Sequence, residues 1–423
     1  MRAFSGLAAL AAALPVALGK LEYLVGSLVQ DTGVAMSGID WGCDIDGTCP
    51  AKGIQVPLAE LGGADSAGQM KHFVKDDNMN IFRIPVSWQF LTNDKGGTDF
   101  DDANWANFQK LMQACLDTGA YCMIDMHNFA RYDGSIIGQG GVPDESLVAL
   151  WSKIAKTYSD TDKVVYGVMN EPHDLEIKPW VNTVQKVVTG IRKAGATDSI
   201  ILLPGANFTS ALTFVSSDSA DLLNKVTNPD GSTKNLVMDL HQYLDINNSG
   251  THEECTTDNV DGYKIVGDWL RKNKRTAIVS ESGASMDPSC MTRFCAQNEY
   301  LADNTDVFIG FIGWAAGGFD TTYMLTLTPT HNSDGSWTDN KLMKECILKP
   351  FLGKLDKPTE TSTKTHKPAQ TSATSTDTPL HDGSENTKPQ DTSKKDKDNA
   401  AGRTSTTSVT LVIGAAALLF ALF

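Results

Sequence analysis

The sequence predicts an α/β fold, a (β/α)₈ TIM barrel that forms a single domain followed by a disordered Ser/Thr-rich stalk. Eight short apolar runs alternate with amphipathic segments through the middle of the 423-residue chain, which is the pattern of parallel βαβ units. A barrel of eight such units takes about 250 residues or more, so one domain accounts for this region. A doubly wound open sheet is the alternative, but its GxGxxG nucleotide turn does not occur here.

The strand-like runs are apolar almost throughout, as expected for parallel strands that are covered on both faces. In chain order they are Gly33–Met36, Ile81–Val86, Tyr121–Met126, Val164–Met169, Ile200–Leu203, Leu236–Leu240, Ala277–Ser280 and Val307–Trp314. The helix-like segments between them include Trp105–Leu116, Leu147–Tyr158, Trp180–Ala194, Val260–Lys272 and Arg293–Ala302.

The N-terminal residues 1–19 have the pattern of a secretory signal peptide. Arg2 supplies a positive start, Ala8–Leu18 is a short apolar stretch, and the small residue Gly19 follows it. A buried N-terminal helix is the alternative. With the signal removed, we expect the folded catalytic domain to span residues 20–355.

The C-terminal part of the chain predicts a stalk and a lipid anchor. Residues 356–408 are rich in Thr, Ser, Lys and Asp and contain almost no large apolar side chain, so they cannot bury enough surface to fold. Residues 409–423 are apolar and follow small residues and a polar spacer, which is the pattern of a GPI-anchor signal with Asn399 as the attachment residue. A tail-anchored helix that retains residues 409–423 is the alternative.

The cysteines and two sequons agree with secretion. An even count of eight cysteines in a secreted chain indicates disulfides, and no CxxC pair supports the alternative of a zinc site. Eight cysteines allow 105 connectivities, and the sequence does not select among them. Pairing each cysteine with its neighbour in sequence is one choice and gives Cys43–Cys49, Cys115–Cys122, Cys255–Cys290 and Cys295–Cys346. Asn207 and Asn247 lie in Asn-x-Ser/Thr triplets and are candidate glycosylation sites.

The net charge of −15 limits the partners of the chain. Binding to nucleic acid or to an anionic membrane surface needs clustered Lys and Arg, so an acidic domain argues against both. We therefore expect a neutral substrate. We expect membrane attachment only through the C-terminal anchor.

Polar side chains follow or interrupt the apolar strand runs, and the carboxyl ends of all barrel strands meet at one end of the barrel. These candidate site residues are Arg83, His127, Asn170, Glu171, His241, Tyr243, Glu281 and Trp314. Each one alone has an ordinary structural explanation, such as a helix cap, an ion-pair partner or a core residue. Their shared position at strand ends is what favours a functional site.

Two carboxylates stand out in that set, Glu171 after the fourth strand and Glu281 after the seventh. These strands lie on roughly opposite sides of an eight-stranded ring, so the two groups face a central cleft. Glycosidic cleavage needs such a pair, in which one carboxyl group protonates the leaving oxygen and the other attacks or activates water. The sequence contains neither the GxSxG motif of serine hydrolases nor the HExxH motif of zinc peptidases.

With these motifs in place, the chain resembles glycoside hydrolase family 5, and within it the secreted fungal endo-β-1,4-glucanases. The resemblance rests on Asn170-Glu171-Pro172 and on Ser280-Glu281-Ser282-Gly283 and runs from Gly33 to Leu348. Further segments that carry it are Ile81–Val86, Ile136–Gly141, Met169–Asp174, Thr227–Thr233, Asn248–His252, Gly313-Trp314 and Ser336–Asp339.

The resemblance implies a retaining mechanism with Glu171 as acid/base and Glu281 as nucleophile. It also implies that the six other strand-end residues bind the sugar or position these two carboxylates, and that no metal or organic cofactor takes part. The expected substrate is cellulose-type or mixed-linkage β-1,4-glucan, cleaved internally by a monomeric enzyme at the cell surface. The alternatives are a cell-wall remodelling enzyme with transglycosylase or β-1,3-glucanase activity and a non-catalytic glucan-binding protein.

Overall fold

The computed structural model describes residues 30–353, and its centre is a closed barrel of eight parallel strands. Each strand pairs with its neighbours in sequence, and the last strand pairs with the first through Asp31 and Gly310. When apolar strands alternate with amphipathic helices, the helices can cover the parallel sheet in a closed barrel or in an open doubly wound sheet. The structure therefore confirms the predicted (β/α)₈ barrel.

The barrel strands are β1 Asp31–Ser37, β2 Ile81–Val86, β3 Tyr121–Met126, β4 Val164–Gly167, β5 Ile201–Pro204, β6 Leu236–His241, β7 Ala277–Ser282 and β8 Phe308–Gly317. The helices are α1 Ser66–Lys75, α2 Trp88–Thr92, α3 Asp102–Leu116, α4 Asp144–Thr157, α5 Ile177–Lys193, α6 Ser219–Leu223, α7 Val260–Asn273, α8 Pro288–Asp303 and α9 Lys349–Phe351. Smaller elements are the 3₁₀ turn Ala59–Leu61, the π-helical turn Met343–Leu348, and hairpins formed by Arg131–Tyr132 with Ser135–Ile136 and by Thr330–His331 with Trp337–Thr338.

Helices α3, α4, α5 and α8 begin earlier than the apolar periodicity predicts, and a side-chain cap marks the start of α3 and α8. The side chain of Asp101 accepts hydrogen bonds from two backbone N–H groups and starts α3 at Asp102. In the same way Asp287 caps α8, whose first residue is Pro288. A count of apolar positions does not detect capping residues, so the predicted starts of α3 and α8 fall several residues after the observed ones.

The buried residues form two layers, one inside the barrel and one between the strands and the helices. The interior layer uses alternate strand positions such as Ile81 of β2 and Met123 of β3. Arg83 and Asp125 lie two residues further along the same strands and therefore on the same inward face. The interior is apolar at the amino ends of the strands and becomes polar towards their carboxyl ends.

Four disulfides join the pairs predicted from sequence proximity, namely Cys43–Cys49, Cys115–Cys122, Cys255–Cys290 and Cys295–Cys346. They use all eight cysteines of the chain. A zinc site built from cysteine is therefore excluded in this structure.

The predicted signal peptide, stalk, anchor signal and Asn399 lie outside the described residues, so they stay predictions. Among the helices of residues 30–353, none combines the length and the apolar character that a membrane span requires.

Candidate active site

The site lies at the carboxyl ends of the barrel strands, where all eight predicted residues are found. Glu281 is the penultimate residue of β7, and Glu171 lies four residues beyond the end of β4. The sequence predicts that β4 extends to Met169, but strand pairing stops at Gly167 and the backbone N–H of Asn170 donates instead to the carbonyl of Met126. Glu171 then adopts a left-handed φ of 42°.

The two glutamates face each other across a short distance. One carboxylate oxygen of each lies within 4.8 Å of the other and of a ring nitrogen of His241. Carboxyl groups of a retaining glycosidase stand about 5–5.5 Å apart, whereas an inverting pair leaves room for an intervening water at larger separation. The observed spacing fits direct attack by one of the glutamates.

Glu281 is surrounded by hydrogen-bond donors. Nη1 of Arg83 donates to its Oε2, and the hydroxyl of Tyr243 donates to its Oε1 at 2.8 Å. Burial raises the pKa of Glu281, but the charge of Arg83 and the hydrogen bond from Tyr243 outweigh it, so the pKa lies below its ordinary value. Glu281 is therefore ionised at neutral pH.

Arg83 is itself held by groups that are fully inside the barrel. Its Nη2 donates to Oδ2 of Asp125 at 2.9 Å and to Oδ1 of Asn170 at 2.6 Å. Nδ1 of His127 lies 2.9 Å from the same oxygen of Asp125. Asp125 thus joins Arg83 to His127 and fixes two site residues through one buried carboxylate. Although burial raises its pKa, Arg83 and His127 lower the pKa of Asp125 below the ordinary value.

Asp125 was not among the predicted site residues. The available signal was a charged residue inside the otherwise apolar strand Tyr121–Met126. An inward-facing carboxylate at such a position needs a buried cationic partner, and Arg83 on the neighbouring strand is that partner.

Glu171 has the opposite electrostatic environment. Burial and then the negative charge of Glu281 raise its pKa above the ordinary value, against the opposing effect of His241. Nδ1 of His241 lies 2.9 Å from its Oε1. A carboxyl group in this setting holds its proton more readily than Glu281 does. The two glutamates therefore differ in protonation although they have the same side chain.

The ring of His241 is fixed on its other side by two residues that the sequence analysis missed. Ser280 donates its hydroxyl hydrogen to Oδ1 of Asp239 at 2.5 Å, and its oxygen lies 3.0 Å from Nε2 of His241. Because the serine hydrogen is already used, the serine oxygen accepts from Nε2–H. Nδ1 of His241 therefore faces Oε1 of Glu171, from which it accepts the carboxyl proton when the ring is neutral and to which it donates when the ring is protonated. The signal was again an acidic residue, Asp239, inside a buried strand.

Tyr243 is positioned by the loop that follows it. Its backbone N–H donates to Oδ1 of Asn248 at 2.7 Å. A Cβ atom at Gly250, whose φ is 71°, would stand 2.6 Å from the tyrosine ring, so glycine allows the loop to pack against that ring. The segment Asn248–His252, which carries part of the family resemblance, thereby supports a partner of Glu281.

Aromatic rings line one side of the cleft. Trp314 stacks on His127 with 5.7 Å between ring centroids, and its Nε1 donates to the hydroxyl of Tyr323 at 3.2 Å. An open hollow of about 350 Å³ beside them is lined by Trp41, Phe319 and Tyr323 among others. Trp314 is predicted from its position in a strand, whereas these three are not, because they lie in loops outside the strand ends.

The two candidate glycosylation residues are both exposed. Asn207 lies in the loop after β5, where the ring of Phe208 stacks on His173 at 4.2 Å between centroids. Asn247 lies in the loop after β6. Neither side chain is buried by the fold, and the presence of a glycan at either one stays a prediction.

Comparison with known proteins agrees with this geometry. The family model described as Cellulase (glycosyl hydrolase family 5) matches residues 46–319. The chain is 49% identical over 326 residues to "Endoglucanase EG-II" of Hypocrea jecorina, which covers 76% of this chain and 78% of that protein. It is 39% identical over 320 residues to "Endoglucanase 1" of Saitozyma flava, with 74% and 89% covered. The crystal structure of Cel5A (EG2) from Hypocrea jecorina superimposes with a TM-score of 0.74 at 48% identity, covering 76% of this chain and 99% of that one.

Proposed function

The chain belongs to the cellulase family, glycosyl hydrolase family 5, and on that basis we propose that it is an endo-acting, retaining β-1,4-glucanase. Its substrates are cellulose-type or mixed-linkage glucans. The proposal rests on the pair Glu171 and Glu281. One carboxylate oxygen of each lies within 4.8 Å of the other, and the pKa values of the two side chains are shifted in opposite directions.

In the first step, Oε of ionised Glu281 attacks the anomeric carbon while protonated Glu171 gives its proton to the glycosidic oxygen. The carbon–oxygen bond to the leaving sugar breaks, and an ester between the glycosyl unit and Glu281 forms. Arg83 and Tyr243 keep Glu281 charged before the attack, and the shared hydrogen bonds keep its carboxylate in one orientation.

In the second step, water replaces the enzyme on the anomeric carbon. Formation of the ester removes the negative charge of Glu281, which is the main charge that raises the pKa of Glu171. Glu171 therefore becomes a better proton acceptor and takes a proton from the water as the ester bond breaks. Two displacements at one carbon leave the anomeric configuration unchanged.

The remaining residues bind the sugar or hold these two groups. Asn170, which accepts a hydrogen bond from Arg83, is placed to bond the sugar 2-hydroxyl, a contact that strengthens in the transition state. Trp314 offers an apolar face to a pyranose ring, and His127 lies beside it. His241 orients Glu171.

The proposal is tested with a panel of polysaccharides and purified protein. Endo cleavage of carboxymethylcellulose lowers viscosity long before many reducing ends appear, and proton NMR of a cello-oligosaccharide digest should show the β-anomer first. An initial α-anomer would contradict the retaining mechanism, and hydrolysis only from chain ends would contradict endo action.

The predicted anchor at residues 409–423 favours a second candidate, a cell-wall remodelling enzyme with transglycosylase or β-1,3-glucanase activity. An anchored enzyme stays close to its own wall, whereas a nutritional cellulase is released. Preference for laminarin over carboxymethylcellulose, or oligosaccharides longer than the substrate among the products, would favour this candidate.

We also propose that the protein is exported, cleaved after residue 19, anchored through Asn399 and active as a monomer. Four disulfides support an oxidising compartment, and the catalytic groups all come from one chain. Mass spectrometry of the mature termini tests the processing, and size-exclusion chromatography with light scattering tests the monomer.

A further inference from the structure

A second cluster of ligand-type side chains lies away from the two glutamates. It consists of His72 in the last turn of α1, Asp77 in the connection from α1 to β2, and Asp339 after the hairpin strand Trp337–Thr338. One ligand atom from each of the three lies within 4.8 Å of the others. It shares no residue with the group formed by Glu171, His241 and Glu281.

The cluster is buried and rich in negative charge. The side chains of His72, Asp77 and Asp339 are 4%, 9% and 6% exposed. Asp76 adds a third carboxylate, whose Oδ2 lies 2.8 Å from Nδ1 of His72. One imidazole therefore lies within 3.4 Å of a carboxylate oxygen of each of Asp76, Asp77 and Asp339.

The hydrogen bonds of the cluster leave one buried oxygen without a donor. Nε2 of His72 lies 3.2 Å from Oδ1 of Asp339 and 3.4 Å from Oδ2 of Asp77. A ring nitrogen carries at most one hydrogen, and the hydrogen bond goes to Asp339. Oδ2 of Asp77 is buried and accepts no hydrogen bond. Such an oxygen, nine-tenths buried and directed at two other ligand atoms, is unfavourable unless a positive group binds it.

We propose that His72, Asp77 and Asp339 bind a divalent transition-metal cation such as Zn²⁺ or Mn²⁺. Neighbouring ligands about 2.1 Å from one ion stand roughly 3.0–3.4 Å apart, which matches the two measured separations from Nε2. Nδ1–H of His72 then donates to Asp76, which is the carboxylate–histidine–metal arrangement that fixes the tautomer of a ligating histidine. An imidazole ligand favours these ions over Ca²⁺ or Mg²⁺.

The cation has a structural role in this position. It connects the end of α1, the start of β2 and the segment that leads to the π-helical turn Met343–Leu348, which are far apart in sequence. Binding releases the proton on Nε2 and stabilises the folded state over the unfolded one, because the three ligands come together only after folding.

The test compares the full-length wild-type protein with Asp77→Asn after both have been stripped with a chelator. Equilibrium dialysis against ZnCl₂ or MnCl₂ should show one more bound ion per chain in the wild type. Since both proteins keep the catalytic groups Glu171, His241 and Glu281, any ion bound there cancels in the difference. The metal should raise the Tm of the wild type by several degrees and leave Asp77→Asn unchanged. Asp160→Asn, at an exposed turn, should behave like the wild type.

Stripped Asp77→Asn should be at least as stable as stripped wild type, because an unpaired buried carboxylate has been removed. Equal ion binding by the wild type and Asp77→Asn would overturn the proposal. A second measurement needs no variant: anomalous diffraction from wild-type crystals grown with the metal should give a peak within bonding distance of Nε2 of His72. Absence of that peak at full metal saturation would also overturn it. These readouts do not involve glucan hydrolysis, so their failure leaves the proposed activity unaffected.

Discussion

Nδ1 of His241 lies 2.9 Å from Oε1 of Glu171, and the other nitrogen of the same ring is connected through Ser280 to the buried carboxylate of Asp239. The proposed proton donor is thus joined to a carboxylate that is buried inside the barrel. Burial lowers the pKa of His241, but Glu281, Glu171 and Asp239 together raise it above its ordinary value, and the charge of His241 in turn lowers the pKa of Glu171. The effect of Asp239 on catalysis should therefore be visible in pH dependence.

We expect Asp239→Asn to move the alkaline limb of kcat/KM to higher pH. Without the negative charge His241 is protonated less often, so it lowers the pKa of Glu171 less, and Glu171 keeps its proton to higher pH. The pH profile on a soluble cello-oligosaccharide measures this shift. Ser280→Ala breaks the same connection without removing a charge and should give a smaller shift in the same direction. An alkaline limb that does not move in either variant would contradict the role of Asp239.

Removal of the hydroxyl in Tyr243→Phe should move the acid limb of kcat/KM upwards by about one to two pH units. The hydroxyl donates to Glu281 and lowers its pKa, and a hydrogen bond to a charged group contributes about 1.5–3 kcal/mol. Glu281 must be ionised to attack, so a raised pKa removes activity first at low pH. Tyr300→Phe on α8 is the matched control and should leave the profile unchanged. A shift confined to the alkaline limb would argue against this assignment.

Azide should distinguish the two glutamates. Glu281→Ala is expected to lose activity by several orders of magnitude and to regain part of it with azide, which gives the inverted glycosyl azide because azide replaces the nucleophile directly. Glu171→Ala, assayed with a substrate whose leaving group needs no protonation, should give the retained glycosyl azide because Glu281 still forms the ester. NMR of the products reads the configuration. Retained azide from Glu281→Ala, or inverted azide from Glu171→Ala, would show that the roles are wrongly assigned.

The disulfide Cys295–Cys346 should stabilise the fold more than Cys115–Cys122. The first closes a loop of 51 residues in the unfolded chain and the second a loop of 7. In the chain-entropy description these correspond to about 4 and about 2 kcal/mol at 25 °C. Urea unfolding of the two Cys→Ala double variants measures the difference. If Cys115→Ala/Cys122→Ala lowers the free energy of unfolding more, native packing rather than loop length controls stability here.

The barrel and most of the site could be predicted because one rule covers both. A parallel strand that is covered on both faces is apolar, so Glu171 and Glu281 stand out where the runs Val164–Met169 and Ala277–Ser280 end. The same rule does not detect Asp125 and Asp239, because they lie within their strands and are explained only by a partner on the neighbouring strand. Those partners, Arg83 and Ser280, are about 40 residues away in sequence, and no local pattern records such a contact. The rule also does not predict the aromatic residues Trp41, Phe319 and Tyr323, because they lie in loops and the loop conformation sets their position.

The left-handed backbone of Glu171 has a consequence for laboratory evolution. A side chain at this φ costs about 1–2 kcal/mol relative to glycine, and the buried negative charge of Glu281 beside it adds a further penalty. Libraries screened only for heat resistance should therefore enrich glycine at position 171 and discard the proton donor while they improve Tm. A thermostability campaign on this barrel needs an activity screen in every round, because selection for folding and selection for turnover oppose each other at this residue.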